Sequence, residues 1–356
     1  MALKVLVVDD SALMRKHLSQ LFTGAGFDVV LARDGLEAVD LVLAHEPDVV
    51  SLDINMPGMD GLTALSLIMA ARPTPVVMVS SLTTKGASAT LEALALGAVD
   101  YVAKPGGTIS LSIDAIAEDL IRKTKVAAHA KVRTSNGTTG SRLAQRRETT
   151  KRESDNVHRQ PVSRAAEPGL VLIGVSTGGP RTLEDILPRL PAEFPWPVLV
   201  AQHMPAAFTS AFASRLDNMC ALRVREVAQP EVIEPGTVFL ARGGADMVVA
   251  RRGDRLMALP KPESPSHLWH PSVTVLVESA LAQLPAERLV AIQLTGMGFD
   301  GADAMARLHQ SGGKTIAESE DSAVVFGMPK ELIERGGASA VLPAPEIARQ
   351  LTRWLM

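Results

Sequence analysis

A chain of 356 residues is too long for one ordinary domain and suits two, and 36 Lys+Arg against 39 Asp+Glu leave a net charge of −3 that gives no reason to expect a nucleic-acid partner. The single cysteine, Cys220, excludes an internal disulfide and suits a reducing compartment, where a buried, inert thiol is the simplest reading. The N-terminus runs straight into a strand pattern and no long apolar span follows, so a cytoplasmic protein without membrane insertion is expected.

In chain order, residues 1–123 alternate apolar strand runs with amphipathic helical patterns. Strands are predicted at Lys4–Val8, Asp28–Ala32, Val49–Leu52, Val76–Ser80 and Asp100–Ala103. Helices are predicted at Ala12–Phe22, Gly35–Ala44, Gly61–Ala71, Ala87–Leu96 and from Ile113 into the 120s. Five βα units imply a doubly wound, five-stranded parallel sheet, with ligands at the carboxyl ends of its strands.

Residues 124–168 change composition, with Asn136-Gly137-Thr138-Thr139-Gly140 and Arg146-Arg147 among them, and read as a polar flexible linker that lacks the apolar surface to offset its ordering entropy. From 169 to 356 strand signals return at Leu170–Val175, Val198–Gln202, Val238–Ala241, Met247–Ala250, Arg288–Leu294 and Ala338–Leu342. Helices are predicted at Arg181–Leu187, Thr209–Asn218, Val273–Leu284, Ala302–Gln310 and Lys330–Arg335. The expected architecture is a second, mainly parallel α/β domain with an antiparallel hairpin near Thr237–Ala250.

Two acidic loops stand out in the first half. Asp9-Asp10 follow the first strand and Asp53 follows the third, which gathers three carboxylates at one sheet edge. Such a cluster is costly unless a cation neutralises it, and oxygen-only ligands favour Mg²⁺. Asp53, before the turn Asn55-Met56-Pro57-Gly58-Met59-Asp60-Gly61, is placed to accept a phosphoryl group, with Ser80 and Lys104 able to bind the new oxygens. Each residue alone is more often a turn or cap residue. As an ordered set, Asp9-Asp10, Asp53, Ser80 and Tyr101-Val102-Ala103-Lys104-Pro105 resemble the receiver domain of two-component response regulators. The resemblance implies that Asp53 is the phosphoacceptor, that Asp9, Asp10 and Asp53 bind Mg²⁺, and that Lys104 contacts phosphate. It also implies that Ser80 and Tyr101 relay the switch and that a histidine kinase donates the phosphoryl group.

The second half carries Gly174-Val175-Ser176-Thr177-Gly178-Gly179-Pro180 after an apolar strand. Its glycines permit a tight strand-to-helix turn, and Pro180 suits a helix's first turn. Gly174-x-Ser176-x-Gly178 fits the hydrolase nucleophile elbow, and it also fits a phosphate-cradling turn. A serine needs a base and an orienting acid. His203 ends the run Val198–Gln202, and Asp300 closes Leu294-Thr295-Gly296-Met297-Gly298-Phe299-Asp300, so all three would meet over one sheet edge as a Ser-His-Asp relay. Amides near Met297 would stabilise the oxyanion. His267 and His270 lack a matching ligand set for metal and read as surface or cleft residues.

Gly174 to Pro180, Gln202-His203-Met204-Pro205, His270-Pro271-Ser272-Val273, Leu294 to Gly301 and Val324-Val325-Phe326-Gly327-Met328-Pro329 together resemble the chemotaxis protein-glutamate methylesterases, the CheB family. The resemblance implies hydrolysis of glutamyl methyl esters on chemoreceptors, deamidation of receptor glutamines, and a CheA-type kinase as phosphodonor. It assigns Ser176 as nucleophile, His203 as base, Asp300 as its orienter and Thr177 and Met297 as neighbours of the reaction centre, with no cofactor for ester hydrolysis. Val175 stands where the family usually has alanine, and Thr274 where an acid is common. Two rivals remain at this level: a transcriptional regulator, disfavoured by the lack of a helix-turn-helix pattern, and a phosphorylation-gated binding module with a disabled catalytic half.

Overall fold

The computed structural model of the chain describes residues 2–81, 83–104, 109–132 and 168–356. In the first half, strands β1 (Lys4–Val8), β2 (Asp28–Ala32), β3 (Val49–Asp53), β4 (Val76–Ser81) and β5 (Asp100–Lys104) alternate with helices α1 (Ala12–Gly24), α2 (Gly35–His45), α3 (Gly61–Ala71), α4 (Thr84–Leu96) and α5 (Ile109–Ala127). The sheet order is β2-β1-β3-β4-β5, with every pairing parallel. β1 therefore lies between β2 and β3, and the crevice beyond its carboxyl end is where a doubly wound sheet opens to a ligand.

Local chemistry starts these helices where the chain needs them. Ser11, Asp34 and Asp60 each accept a hydrogen bond from an amide in the first turn of α1, α2 and α3, satisfying donors that the helix leaves unpaired. The strands are apolar on both faces because helices cover both, as parallel sheets require; Val5, Leu6 and Val7 are fully buried. Each side chain of that size contributes about 1.5–3 kcal/mol when buried.

The second half contains β6 (Leu170–Val175), α6 (Gly179–Ile186), β7 (Val198–Gln202), α7 (Ala206–Asp217), β8 (Arg223–Val227), β9 (Glu231–Val232), β10 (Thr237–Ala241), β11 (Asp246–Arg252) and β12 (Arg255–Lys261). It continues with α8 (Val273–Leu281), β13 (Leu289–Gln293), α9 (Ala302–Gln310), β14 (Lys314–Glu318), α10 (Met328–Glu334), β15 (Ala340–Leu342) and α11 (Ala344–Leu355). Seven strands form a parallel sheet in the order β15-β14-β13-β6-β7-β10-β8, and β11, β12 and β9 form a small antiparallel sheet. The chain leaves β6 toward β7 on one side and returns through β13 on the other, so the topological switch falls between β6 and β13. Ser176, His203 and Asp300 follow β6, β7 and β13.

The hairpin expected at Thr237–Ala250 is corrected. β10 pairs in parallel with β7 and β8 inside the main sheet, and the antiparallel hairpin is β11 with β12. The reason is burial: β10 is buried along its whole length, which suits a parallel interior strand, whereas β11 ends in exposed Arg251 and Arg252. The domain boundary expected at 123 falls inside α5, which runs to Ala127. Residues 133–167 of the expected linker, and Pro105, lie outside the described residues.

The two halves pack together. α4 contacts α6 and α7, and Leu91 and Leu94 belong to the same contiguous apolar cluster as Leu183 and Phe212. The Tyr101 ring lies 4.6 Å from that of Phe208, at the start of α7. No helix among the described residues is long and apolar enough to cross a membrane.

Candidate active site and receiver acidic site

The carboxyl edge of the first sheet gathers Asp9, Asp10 and Asp53, with a carboxylate oxygen of each within 4.8 Å of the others. Asp9 and Asp53 are buried and Asp10 is exposed. Lys104 Nζ stands 2.8 Å from Asp53 Oδ2 and 3.1 Å from Asp9 Oδ2. Burial raises the Asp53 carboxyl above its ordinary value, with Asp9's charge adding to it, against the opposing pull of Lys104. Burial draws the Lys104 ammonium down, but the charges of Asp53 and Asp9 outweigh it and hold it above its usual value. One ammonium against three clustered carboxylates leaves an uncompensated negative charge with oxygen donors only, a donor set that fits a hard divalent cation such as Mg²⁺.

Ser80 is buried at the end of β4 and is tied to α4: its hydroxyl accepts from Thr90 Oγ1 at 2.8 Å and donates to Gly86 O at 3.4 Å. Tyr101 is buried, with its hydroxyl lacking a hydrogen-bond partner among the described residues and Lys123 Nζ 5.1 Å from its ring centroid. Burial pushes its phenol well above the usual value. Among the described residues neither side chain pairs with Lys104; both instead face the elements that meet the second half.

Ser176 sits where β6 turns into α6. The turn is tight enough to need glycine at two points. Gly178 has φ +79°, and Gly296, at φ +158°, approaches so closely that a Cβ there would stand 2.6 Å from Ser176 Cβ. The Ser176 amide donates to Thr295 O at 3.0 Å, and Gln202 Nε2 donates to both Ser176 O and His203 O, at 2.9 and 3.1 Å. A single glutamine at the end of β7 thus fixes the backbones of two functional residues. Gln293, at the end of β13, does the same for the third by donating to Asp300 O at 2.9 Å.

His203 Nε2 lies 2.9 Å from Asp300 Oδ2. Asp300 also accepts from the Val273 amide at 2.7 Å, from the Thr274 amide and hydroxyl at 3.0 and 2.7 Å, and from Ser272 Oγ at 3.1 Å. Burial pushes this carboxyl up, but the His203 hydrogen bond and charge, the Val273 amide and the Thr274 hydroxyl outweigh it and lower it to about 2. Asp300 is therefore ionised at neutral pH, so Nε2 must carry the proton that it accepts. The lone pair of a neutral His203 is then on Nδ1, which is buried and has no hydrogen-bond partner among the described residues. The Ser176 hydroxyl makes no hydrogen bond to His203 here, but both line one cavity of about 470 Å³. Apo enzymes commonly show such loose nucleophile–base contacts.

The cavity lies between the halves, with Leu94, Asp100, Tyr101 and Arg122 of the first half lining one side of it. Thr177 Oγ1 donates to Asp100 Oδ2 at 2.5 Å, and Arg122 Nη1 donates to Met297 Sδ at 3.5 Å. Both predicted neighbours of the reaction centre are thus held by residues of the first half. Trp269 forms another wall, parallel to the His203 ring at 5.7 Å between centroids.

Several functional partners went unread in the sequence. Gln202, Ser272, Thr274 and Gln293 are ordinary polar residues, and only Gln202, immediately before His203, carried a positional hint. Thr274, standing where an acid is common in the resembling family, bonds Asp300 directly and accepts from the Gly301 amide at 2.9 Å. His267 is half-buried and bonded to Ser266, and His270 pairs with Asp246, so among the described residues neither gathers a metal set. The thiol of Cys220 is pushed up to about 12 by burial, with Asp217 and Glu184 adding to it, as an inert cysteine should be.

Residues 171–351 match the CheB methylesterase family, and residues 5–114 match the response regulator receiver domain. The protein-glutamate methylesterase/protein-glutamine glutaminase 3 of Rhodospirillum rubrum is 54% identical over 355 residues, covering 99% of this chain and 96% of its own. A protein-glutamate methylesterase/protein-glutamine glutaminase 2 of Rhodopseudomonas palustris is 51% identical over 363 residues, covering 99% and 98%. The crystal structure of the Thermotoga maritima CheB methylesterase catalytic domain superposes with a TM-score of 0.51 at 37% identity, over 53% of this chain and 99% of that one.

Proposed function

The chain belongs to the CheB methylesterase family, with a receiver domain preceding its catalytic domain, and from that premise we propose how its own residues carry out and control the reaction. It is a phosphorylation-activated hydrolase that demethylates glutamyl methyl esters on chemoreceptors and deamidates receptor glutamines. A kinase supplies its phosphoryl group.

Ser176 Oγ attacks the side-chain carbonyl carbon while His203 Nδ1 takes its proton. The tetrahedral oxyanion is held by backbone amides beside Thr177 and Met297. As the C–O bond to the methoxy group breaks, His203 returns the proton to oxygen and methanol leaves. Water then attacks the glutamyl-Ser176 ester, again losing its proton to His203, and collapse frees glutamate and Ser176. Deamidation follows the same course, with ammonia as the leaving group. Asp300 keeps the imidazole in the tautomer with the free Nδ1 and stabilises it when charged. This reading rests on the His203–Asp300 hydrogen bond, with the opposite ring nitrogen without a hydrogen-bond partner among the described residues and His203 and Ser176 lining one cavity.

In the receiver, Asp53 accepts the phosphoryl group and Lys104 exchanges its bond to Asp53 for one to phosphate. Asp9, Asp10 and Asp53 would hold Mg²⁺, which when bound supplies the positive charge that phosphoryl transfer needs. Ser80 and Tyr101 carry the change toward α4 and the Phe208 contact, loosening the cover on Ser176. The test is methanol release from methylated chemoreceptor with and without a phosphodonor. Release stimulated by phosphodonor and abolished in Ser176→Ala supports the reading, and near wild-type release from Ser176→Ala overturns it.

A further inference from the structure

A second histidine–carboxylate pair faces the same cavity. His270 Nδ1 lies 3.0 Å from Asp246 Oδ1, with the carboxylate side chain 2% and the imidazole 13% exposed. Asp246 Oδ1 also accepts the Ser272 amide at 2.8 Å, and the Ser272 hydroxyl donates to Asp300 Oδ1 at 3.1 Å. One residue therefore links both carboxylates, and the two imidazoles are set in register by a single short turn. Trp269, adjacent in sequence to His270, is parallel to the His203 ring, and His203, Trp269, His270 and Ser176 all line the cavity.

The tautomer of His270 follows from its partner. An ionised carboxylate only accepts, so Nδ1 must donate to Asp246, and a neutral His270 presents its lone pair at Nε2. Among the described residues Nε2 has no protein partner, although the ring borders the cleft. The cleft thus contains a fixed acceptor that the ester reaction leaves unused.

We infer that His270 is a specificity-determining residue for deamidation, its Nε2 accepting an N–H of the substrate carboxamide, a contact a methyl ester cannot make. The inference rests on Ser176, His203 and Asp300 acting as proposed. The two substrates differ at the leaving atom. Methoxy oxygen has lone pairs to take the proton from His203 in any rotation and carries no hydrogen. The amide nitrogen has to pyramidalise with its lone pair toward His203 before the C–N bond breaks, and one N–H held by His270 fixes that orientation. Ammonia leaves with the proton that Ser176 gave to His203, so no further reactant is needed. Glu263, Asp100 and Asp119 also line the cavity; Asp100 is bonded to Thr177 and Lys123 and Asp119 to Arg122 and Lys123, which makes Glu263 the carboxylate to compare with His270.

The experiment uses the full chain activated with acetyl phosphate and Mg²⁺, and receptor signalling fragments bearing either glutamine or its methyl-ester counterpart at one site. Ammonia and methanol are measured separately. His270→Asn keeps a donor where Nδ1 stands and removes the acceptor at Nε2, so the ratio of ammonia to methanol release should fall about tenfold, the effect of one hydrogen bond in the transition state. His270→Gln places its amide oxygen near the Nε2 position and should recover most of the ratio. An equal loss on both substrates, which a merely structural role would produce, overturns the inference, as does a ratio that falls in Glu263→Gln but not in His270→Asn. If the unsubstituted chain released neither product, the reading of Ser176 and His203 would fall first.

Discussion

Thr177 Oγ1 donates to Asp100 Oδ2 at 2.5 Å, so the residue after the nucleophile is hydrogen-bonded to the first residue of the receiver's edge strand β5. Asp100 in turn accepts from the Tyr101 amide at 2.7 Å and Lys123 Nζ at 3.2 Å, and it is 7% exposed. A hydrogen bond to a buried charge contributes about 1.5–3 kcal/mol. Asp100→Asn keeps the shape and removes the charge. It should raise unphosphorylated methanol release about tenfold, a change that needs only about 1.4 kcal/mol between covered and open states. Phosphodonor should then stimulate this variant less than the parent. Unaltered basal release would mean that Asp100 does not hold the cover in place.

The acidic site predicts effects of opposite sign. Asp9→Ala removes a carboxylate from the cation's donor set and should weaken Mg²⁺ binding and slow phosphorylation of Asp53. Lys104→Ala removes the ammonium that sits 2.8 Å from Asp53 and 3.1 Å from Asp9, so Mg²⁺ should bind at least as tightly, while phosphorylation no longer stimulates the esterase. Calorimetric Mg²⁺ titration and phosphodonor-stimulated methanol release read the two effects separately. Weaker Mg²⁺ binding in Lys104→Ala would contradict the charge argument.

Asp300 predicts a pH dependence. Its carboxyl is lowered from an ordinary 3.8 to about 2, so the unfolded chain binds its proton first as pH falls. The stability gained, about 2 kcal/mol, is fully present above about pH 4 and is lost as pH drops through about 2. Urea unfolding at a series of pH values should show this loss in the parent and its absence in Asp300→Asn. The same variant, with an amide that can donate to Nε2, favours the wrong tautomer and should lower turnover about 10⁴-fold. An acid-stability curve identical to the parent's would remove Asp300 from the account.

The legibility of the site in the sequence follows from where each residue's information resides. Asp9, Asp53, Ser176 and His203 end or follow apolar strand runs, so the period of the pattern alone places them on a sheet edge, and β1, β2, β6 and β7 run over the residues that the pattern indicates. β8, β9, β12 and β14 were not legible: Arg223-Val224-Arg225-Glu226-Val227 and Lys314-Thr315-Ile316-Ala317-Glu318 are short and charged, and only their neighbours in the sheet make them strands. α11 was legible but unread, since Ala344, Ile347, Ala348 and Leu351 repeat at helical spacing and are the residues it buries. The hydrogen bonds from Gln202 to Ser176, from Gln293 to Asp300 and from Ser272 to Asp300 span 26, 7 and 28 positions, and no local pattern encodes them.

The control of one half by the other can be separated from mere tethering. If the receiver only delivered the enzyme, residues 168–356 alone would release methanol at the rate of the unphosphorylated full chain. In the structure, Asp100 holds Thr177 and Arg122 reaches Met297, so the receiver occupies both neighbours of the reaction centre, and Tyr101 against Phe208 anchors it there. The fragment should therefore be faster than the unphosphorylated chain, and phosphorylation should bring the full chain toward the fragment's rate. Asp53→Ala should stay slow and ignore phosphodonor, while Arg122→Ala should gain basal activity without it. The fragment exposes Phe208 and Leu183, so its folding is checked first by thermal unfolding, and Arg122→Ala in the intact chain carries the argument if the fragment is unstable. Equal initial rates for fragment, unphosphorylated chain, phosphorylated chain and Asp53→Ala would leave the receiver a targeting role only.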